Sequence, residues 1–152
     1  MYSKDSIHFS DSLKYKTDFG RTVYGGGGIM PDIFVPQDTT AFSSYLSQLM
    51  NKGLLRELAS EIYNSNNKII SSMSLQQFAK DFKIMDTDLQ KMTLQAEKSG
   101  IKFNANGFGR SKEYIRNYIK ALVAKYKWKN DGFYFVFNQN DKVFLEATRE
   151  LR

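Results

Sequence analysis

The alternation of apolar and polar positions changes character near residue 37. Before that point, "SIHFSD", "SLKYKT", "RTVYG" and "IFV" are short runs that alternate or are rich in β-branched and aromatic residues, and they read as β. Gly20, the run Gly25 to Gly28, Pro31 and Pro36 separate them, and no proline follows. Beyond residue 37 the apolar residues recur every three or four positions. Phe42, Tyr45, Leu46 and Met50 trace one helical face through "AFSSYLSQLM", with Asp38 or Thr39 placed to accept hydrogen bonds from its first N–H groups. Gly53 breaks or bends the chain before "LLRELASEIY". Ser74 with Gln77, and Thr87 with Gln90, have capping-box spacing and open helices through "LQQFAKDF" and "DLQKMTLQAEKS". Gly100 stands where a left-handed helix stop belongs. Ser111 opens the strongest helix, "KEYIRNYIKALVAKYKW"; Asp131-Gly132 turns the chain into "FYFVFN", and Asp141 caps a last helix, "KVFLEATREL".

The fold expected from this pattern is mainly α (α+β). A short N-terminal β segment, residues 1–36, precedes a bundle of about five helices in residues 37–152. Periodicity assigns the core to Phe42, Leu46, Leu54, Leu55, Phe78, Phe82, Leu89, Leu94, Ile115, Ile119, Leu122 and Trp128. The Trp128 ring is expected beside "FYFVF", with a partner for its indole N–H.

Composition narrows the chemistry. At 152 residues the chain has room for a genuine core without staples. It has no cysteine, which excludes disulfides, thiolate metal sites and a cysteine nucleophile. No stretch approaches the roughly 18 apolar residues that suggest a membrane span, and "MYSKDSIHFSDSL" lacks the apolar core of a signal peptide. The net charge of +6 is uneven: counting Lys and Arg against Asp and Glu, residues 1–50 carry −1, 51–100 carry +1 and 101–152 carry +6. Most of the excess lies between Arg110 and Lys129.

Three features could carry chemistry. The glycine run is followed by Ile29, Met30 and Pro31, with no Gly-Lys-Ser/Thr and no helix start, so it suits a bulge or wide turn better than a phosphate cradle. Lys112, Arg116 and Lys120 form a stripe at i, i+4, i+8, with Lys125, Lys127 and Lys129 beyond, opposite an apolar face of Ile115, Tyr118, Ile119, Leu122, Val123 and Tyr126. Such a stripe serves nucleic-acid binders, but it also suits a solvated, dipole-compensating face. His8 is the chain's one histidine, far in sequence from any candidate partner. Glu57 and Glu61 share a helix face and read as salt-bridge partners for neighbouring Lys and Arg. No catalytic, cofactor or metal residues are expected.

The stretch "SLKYKTDFGRTVYGGGGIMPDIFVP" resembles the closing segment of the catalytic domain of C-terminal processing, or tail-specific, serine peptidases. The matching residues are Thr17, Gly20, Arg21, Gly28, Ile29, Pro31, Asp32 and Val35. Asp18-Phe19 replaces the usual Pro-Ser, and the glycine run is longer than the common form. The tail "KNDGFYFVFNQNDKVFLEATREL" also resembles the end of a helical extension found in one branch of that family. The resemblance implies a family that cleaves near protein C-termini with a serine nucleophile and a lysine base, presents substrates on a PDZ-like domain, and works in the bacterial cell envelope. In family order those parts precede the matched segment, so Ser43, Ser44, Ser47 and Lys52 do not match the dyad. The expectation is an accessory region without the dyad, inactive alone, whose partner is the remainder of a peptidase chain. Strands lacking their sheet are expected to self-associate through residues 12–35 or to be disordered. The alternative is a stand-alone module that binds acidic protein tails or nucleic acid through Arg110–Lys129.

Overall fold

In a computed structural model of the chain, "SLKYKT" and "RTVYG" meet as a two-stranded antiparallel ribbon. Strand β1 (Lys14–Lys16) pairs with β2 (Thr22–Tyr24) in the register Lys14↔Tyr24, Tyr15↔Val23, Lys16↔Thr22. The turn between them closes with the Gly20 N–H donating to the Thr17 carbonyl at 2.8 Å. Gly20 has φ +77°, where a side chain would strain the backbone. Tyr15 and Val23 are exposed, and Phe19 is 99% exposed at the turn. Ile33 to Val35, expected to be β, form no strand.

The structure describes residues 14–20, 22–25, 33–36 and 39–151. The expectations for "SIHFSD", His8, Arg21, the glycines 26–28, Ile29, Pro31, Asp32 and Asp38 fall outside them. The chain divides into two compact units, Met1–Gln37 and Asp38–Arg152.

The second unit is mainly helical, with seven α-helices among the described residues. They are α1 (Ser44–Asn51), α2 (Leu54–Ser65), α3 (Asn67–Ser72), α4 (Leu75–Asp81), α5 (Asp86–Lys98), α6 (Ala105–Phe137) and α7 (Lys142–Glu150). The helix the pattern did not mark is α3, a separate six-residue helix, while α7 forms where Asp141 was expected to cap a last helix.

The start of α1 lies later than Asp38 or Thr39 suggested. Ser43 caps it, its hydroxyl accepting the Leu46 N–H at 3.1 Å. The Ser74–Gln77 capping box forms as expected, with hydrogen bonds of 3.1 and 2.9 Å. The Thr87–Gln90 box does not. Helix α5 begins two residues earlier, and Asp88 instead accepts the Met85 N–H at 3.0 Å, an anion at a helix start. Gly100 is the stop it was read to be: at φ +84° it lets its own N–H reach the Glu97 carbonyl at 3.0 Å and the Ile101 N–H reach Ala96 at 2.9 Å. This paired closure satisfies carbonyls that would otherwise be orphaned, and Ile101 and Ala96 are both buried beside it.

Helix α6 is the spine, contacting α1, α2 and α4. It starts not at Ser111 but at Ala105, where the Asn104 side chain accepts the Gly107 N–H at 2.8 Å. Gly107 and Gly109 weaken helix propensity, which hid this first turn. The expected turn at Asp131-Gly132 is also displaced. The helical path breaks at Lys129 (φ 57°, ψ −145°), and "FYFVF" continues as helix. This second arm folds back on the first. Phe133 and Phe137 set their rings 5.8 and 6.0 Å from that of Tyr118, and the Asn117 side-chain amide donates to the Phe137 carbonyl at 3.2 Å.

The core contains Leu46, Leu54, Leu55, Phe78, Leu89, Ile115 and Ile119 as expected, with Phe82, Leu122 and Trp128 half-buried against it. Phe42 and Leu94 are exposed, at 48% and 59%. Phe42 precedes α1 and so does not share its inner face; it leans on Tyr114 at 5.1 Å. In α5 the inner face is Leu89, Met92 and Ala96, and Leu94 points away from it. Trp128 packs on Phe78 of α4 at 5.3 Å rather than chiefly beside "FYFVF", and its indole N–H has no hydrogen-bond partner among the described residues.

Candidate functional site

The basic stripe on α6 was the strongest candidate in the sequence for a binding surface. Its cations turn inward. Lys120 Nζ donates to the Ala79 carbonyl in the last turn of α4 at 2.6 Å. Lys127 Nζ donates to the carbonyls of Ile70 and Ser71, both at 2.9 Å, and of Met73 at 2.7 Å, around the end of α3. Arg116 donates to the Ile84 carbonyl and, at 2.6 Å, to Asp86 at the start of α5; Lys112 reaches the same carboxylate at 3.0 Å. Helix ends expose unpaired carbonyls with partial negative charge, so an ammonium there satisfies hydrogen bonds and opposes the dipole together. The stripe therefore stitches α3, α4 and α5 to the spine.

The titration shifts follow from these contacts. Burial pushes the Lys120 ammonium down, against a smaller opposite influence from Asp81. The hydrogen bond from Arg116, then that from Lys112, holds the Asp86 carboxyl below its ordinary value, and Asp86 in turn raises Arg116. Arg110, Lys125 and Lys129 are the exposed cations of the stretch, beside exposed Glu113 and Tyr126.

Ser111 lies inside α6, fully buried. Its hydroxyl donates to the Ala41 carbonyl at 2.6 Å and lies 2.8 Å from the Ser43 hydroxyl. Because the one Ser111 hydroxyl proton goes to Ala41, Ser43 must donate to Ser111, and the protons run in one direction: Leu46 N–H to Ser43, Ser43 to Ser111, Ser111 to Ala41. Every member is satisfied, and the chain ties the start of α1 to the spine across some 70 residues of sequence. Ser111→Ala is expected to destabilise the protein by about 1–3 kcal/mol, because it takes the donor from the half-buried Ala41 carbonyl and leaves the buried Ser43 hydroxyl proton without an acceptor. Urea denaturation checks this; Ser44→Ala, at an exposed position, should change stability little.

The serines read as unmatched to a dyad are spread along α1. Ser43 is its cap, Ser44, Ser47 and Lys52 are exposed, and the Ser47 hydroxyl donates to the Ser43 carbonyl at 3.3 Å. Glu57 and Glu61 are exposed and enter no ion pair among the described residues, contrary to expectation; Glu57 lies in the first turn of α2, which favours an acid. A shallow depression lined by Met50, Gly53, Leu55, Arg56 and Tyr118 has an empty volume of about 190 Å³ that includes open solvent, below the ~300 Å³ at which ligand pockets begin. Among the described residues no group of three or more His, Cys, Asp or Glu could hold a metal ion, and no helix is long and apolar enough to cross a membrane. Of the signature residues, Thr17 and Gly20 form the ribbon's turn and Val35 is half-buried.

No curated protein and no solved structure matches the chain. A family of unknown function, DUF8443, matches residues 45–129, from the first residues of α1 through the first arm of α6 to its corner. That span is more than half of the 152 residues, and the chain belongs to this family.

Proposed function

We propose that the chain is the C-terminal accessory region of a C-terminal processing serine endopeptidase, lacking the Ser/Lys dyad and the PDZ-like domain and inactive alone. The supporting observation is the β1–β2 ribbon. Its turn is built by Thr17 and Gly20, two residues of the peptidase-like signature, and it leaves Tyr15, Phe19 and Val23 exposed. A two-stranded ribbon is marginal by itself, and its open edges and apolar side chains suit the strands of a larger sheet. The partner in this reading is the rest of a peptidase chain, which works in the bacterial cell envelope. Without that partner, copies associate through residues 12–35. The helical unit then packs against the catalytic domain or shapes access to it.

Two measurements test the reading. The DNA upstream of the codon for Met1 is expected to continue in frame through serine and lysine motifs of the family; an in-frame stop codon directly upstream would overturn it. The purified chain is expected to leave peptide substrates intact, and clear hydrolysis would equally defeat it.

A further inference from the structure

The corner of α6 has an unusual construction. Lys129 is the sole residue other than glycine with positive φ among the described residues, and its φ/ψ pair is one that L side chains rarely adopt. Three residues on, Gly132 is buried at the crossing of the two arms. A Cβ there would stand 2.6 Å from Cβ of Trp128 and 2.9 Å from the Ala124 carbonyl oxygen, so the corner closes only because position 132 has no side chain. Residues 105–137 contain no proline and are helical on both sides of Lys129.

We infer that Lys129 is a hinge across which the arm from Asn130 onward exchanges between two copies of this chain. In the open form Lys129 becomes helical and each arm docks on the Tyr114–Tyr118 face of the other copy. Rotating one residue relieves the strained backbone and removes the close approach that admits only glycine at position 132. A straight helix would also place positions 118 and 133 about 22 Å apart along its axis. In the closed form their rings are 5.8 Å apart. An opened arm therefore cannot reach its own seat, and Phe133, Val136 and Phe137 find the same aromatic surface only on a second molecule. The occupant is fixed by the contacts already present: Tyr118 with Phe133, Tyr114 with Phe137 at 6.1 Å, and the Asn117 amide with the Phe137 carbonyl. No new complementarity has to be built, which is why exchange of an identical element is a low-cost route to a dimer.

Two substitutions push the equilibrium in opposite directions. Gly132→Ala jams the corner and favours continuous helix; Lys129→Gly accepts the positive φ and weakens continuous helix. On the full chain, Gly132→Ala is expected to strengthen dimerisation by about tenfold or more, and Lys129→Gly to weaken it by about as much. Light scattering measures the association. Isotope-filtered NOEs in mixed labelled and unlabelled dimers report whether the Tyr118–Phe133 contact is between molecules. A Gly132→Ala protein that stays monomeric with native circular dichroism overturns the inference. So does a dimer in which that contact remains within one chain, as association through residues 12–35 would give. If Gly132→Ala does not fold, wild type and Lys129→Gly are compared after warm incubation at high concentration. A wild-type dimer with intermolecular Tyr118–Phe133 NOEs, reduced about tenfold by the glycine, supports the hinge. No dimer in either protein, equal dimer in both, or a contact that stays within one chain rejects it.

Discussion

Replacing Phe78 with alanine is expected to destabilise the protein by about 3–5 kcal/mol, the range for emptying a buried aromatic site. Phe78 is fully buried and stacks on Phe82 at 4.7 Å; it also meets Trp128 at 5.3 Å, with the Lys120 ammonium 5.9 Å from its ring centroid. Helix α4 is only seven residues long, too short to persist without tertiary contacts, and Phe78 and Ala79 are its two buried residues. Losing the ring removes most of what seats the helix, and the neighbouring rings cannot collapse into the space without abandoning their own contacts. Urea denaturation followed by far-UV circular dichroism gives the magnitude. Emission from Trp128, the one tryptophan in the sequence, reports the site directly. Phe42→Ala removes the same atoms from a position 48% exposed and should have a much smaller effect. Comparable losses from the two substitutions would contradict this packing.

Lys127→Met should cost about 2–3 kcal/mol, because it leaves the aliphatic stem in place but removes a charged donor from three carbonyls. The carbonyls of Ile70, Ser71 and Met73 all face that one ammonium, and Ile70 is buried. Lys125→Met, two residues away on an exposed position, is the control and should change stability by less than about 0.5 kcal/mol. Equal effects from the two lysines would mean that the stripe acts as a diffuse field instead of as a set of helix stops. Amide hydrogen exchange locates the damage: faster exchange in α3 is the expected pattern.

These two residues also show what could be read from the chain. Phe78 was legible because helical periodicity and the Ser74–Gln77 spacing agree, so local and tertiary preferences point to the same helix. Gly100 was legible for a similar reason, since one residue type answers one backbone demand. The stripe at 112, 116 and 120 was visible as a pattern, but its direction was not. Whether a lysine faces solvent or a helix end depends on where α3 and α4 terminate relative to α6, and no spacing within α6 encodes that. Ser111 misled for the opposite reason. Serine before a helical run usually caps it, and here a hydrogen bond to Ala41, distant in sequence, keeps the residue inside the helix. At Asp131-Gly132 the dipeptide has the composition of a turn, while the glycine serves a close approach between helices and the reversal falls at Lys129. The candidate site was least legible: the tie between Ser43 and Ser111 and the helix-end contacts of Lys120 and Lys127 depend on partners far away in sequence.

The position of the spine in the order of synthesis has a consequence for the newborn polypeptide. Helices α1, α2 and α4 are translated before the helix that covers them. At about 5–20 residues per second, the 60 or so codons from α1 to the start of α6 take roughly 3 to 12 s. Through that interval the apolar faces made by Leu46, Leu55 and Phe78 lack the surface that later encloses them. Compaction of this unit on the ribosome is thus deferred until residues 105–128 leave the exit tunnel, and the early segments are the ones on which chaperones would act.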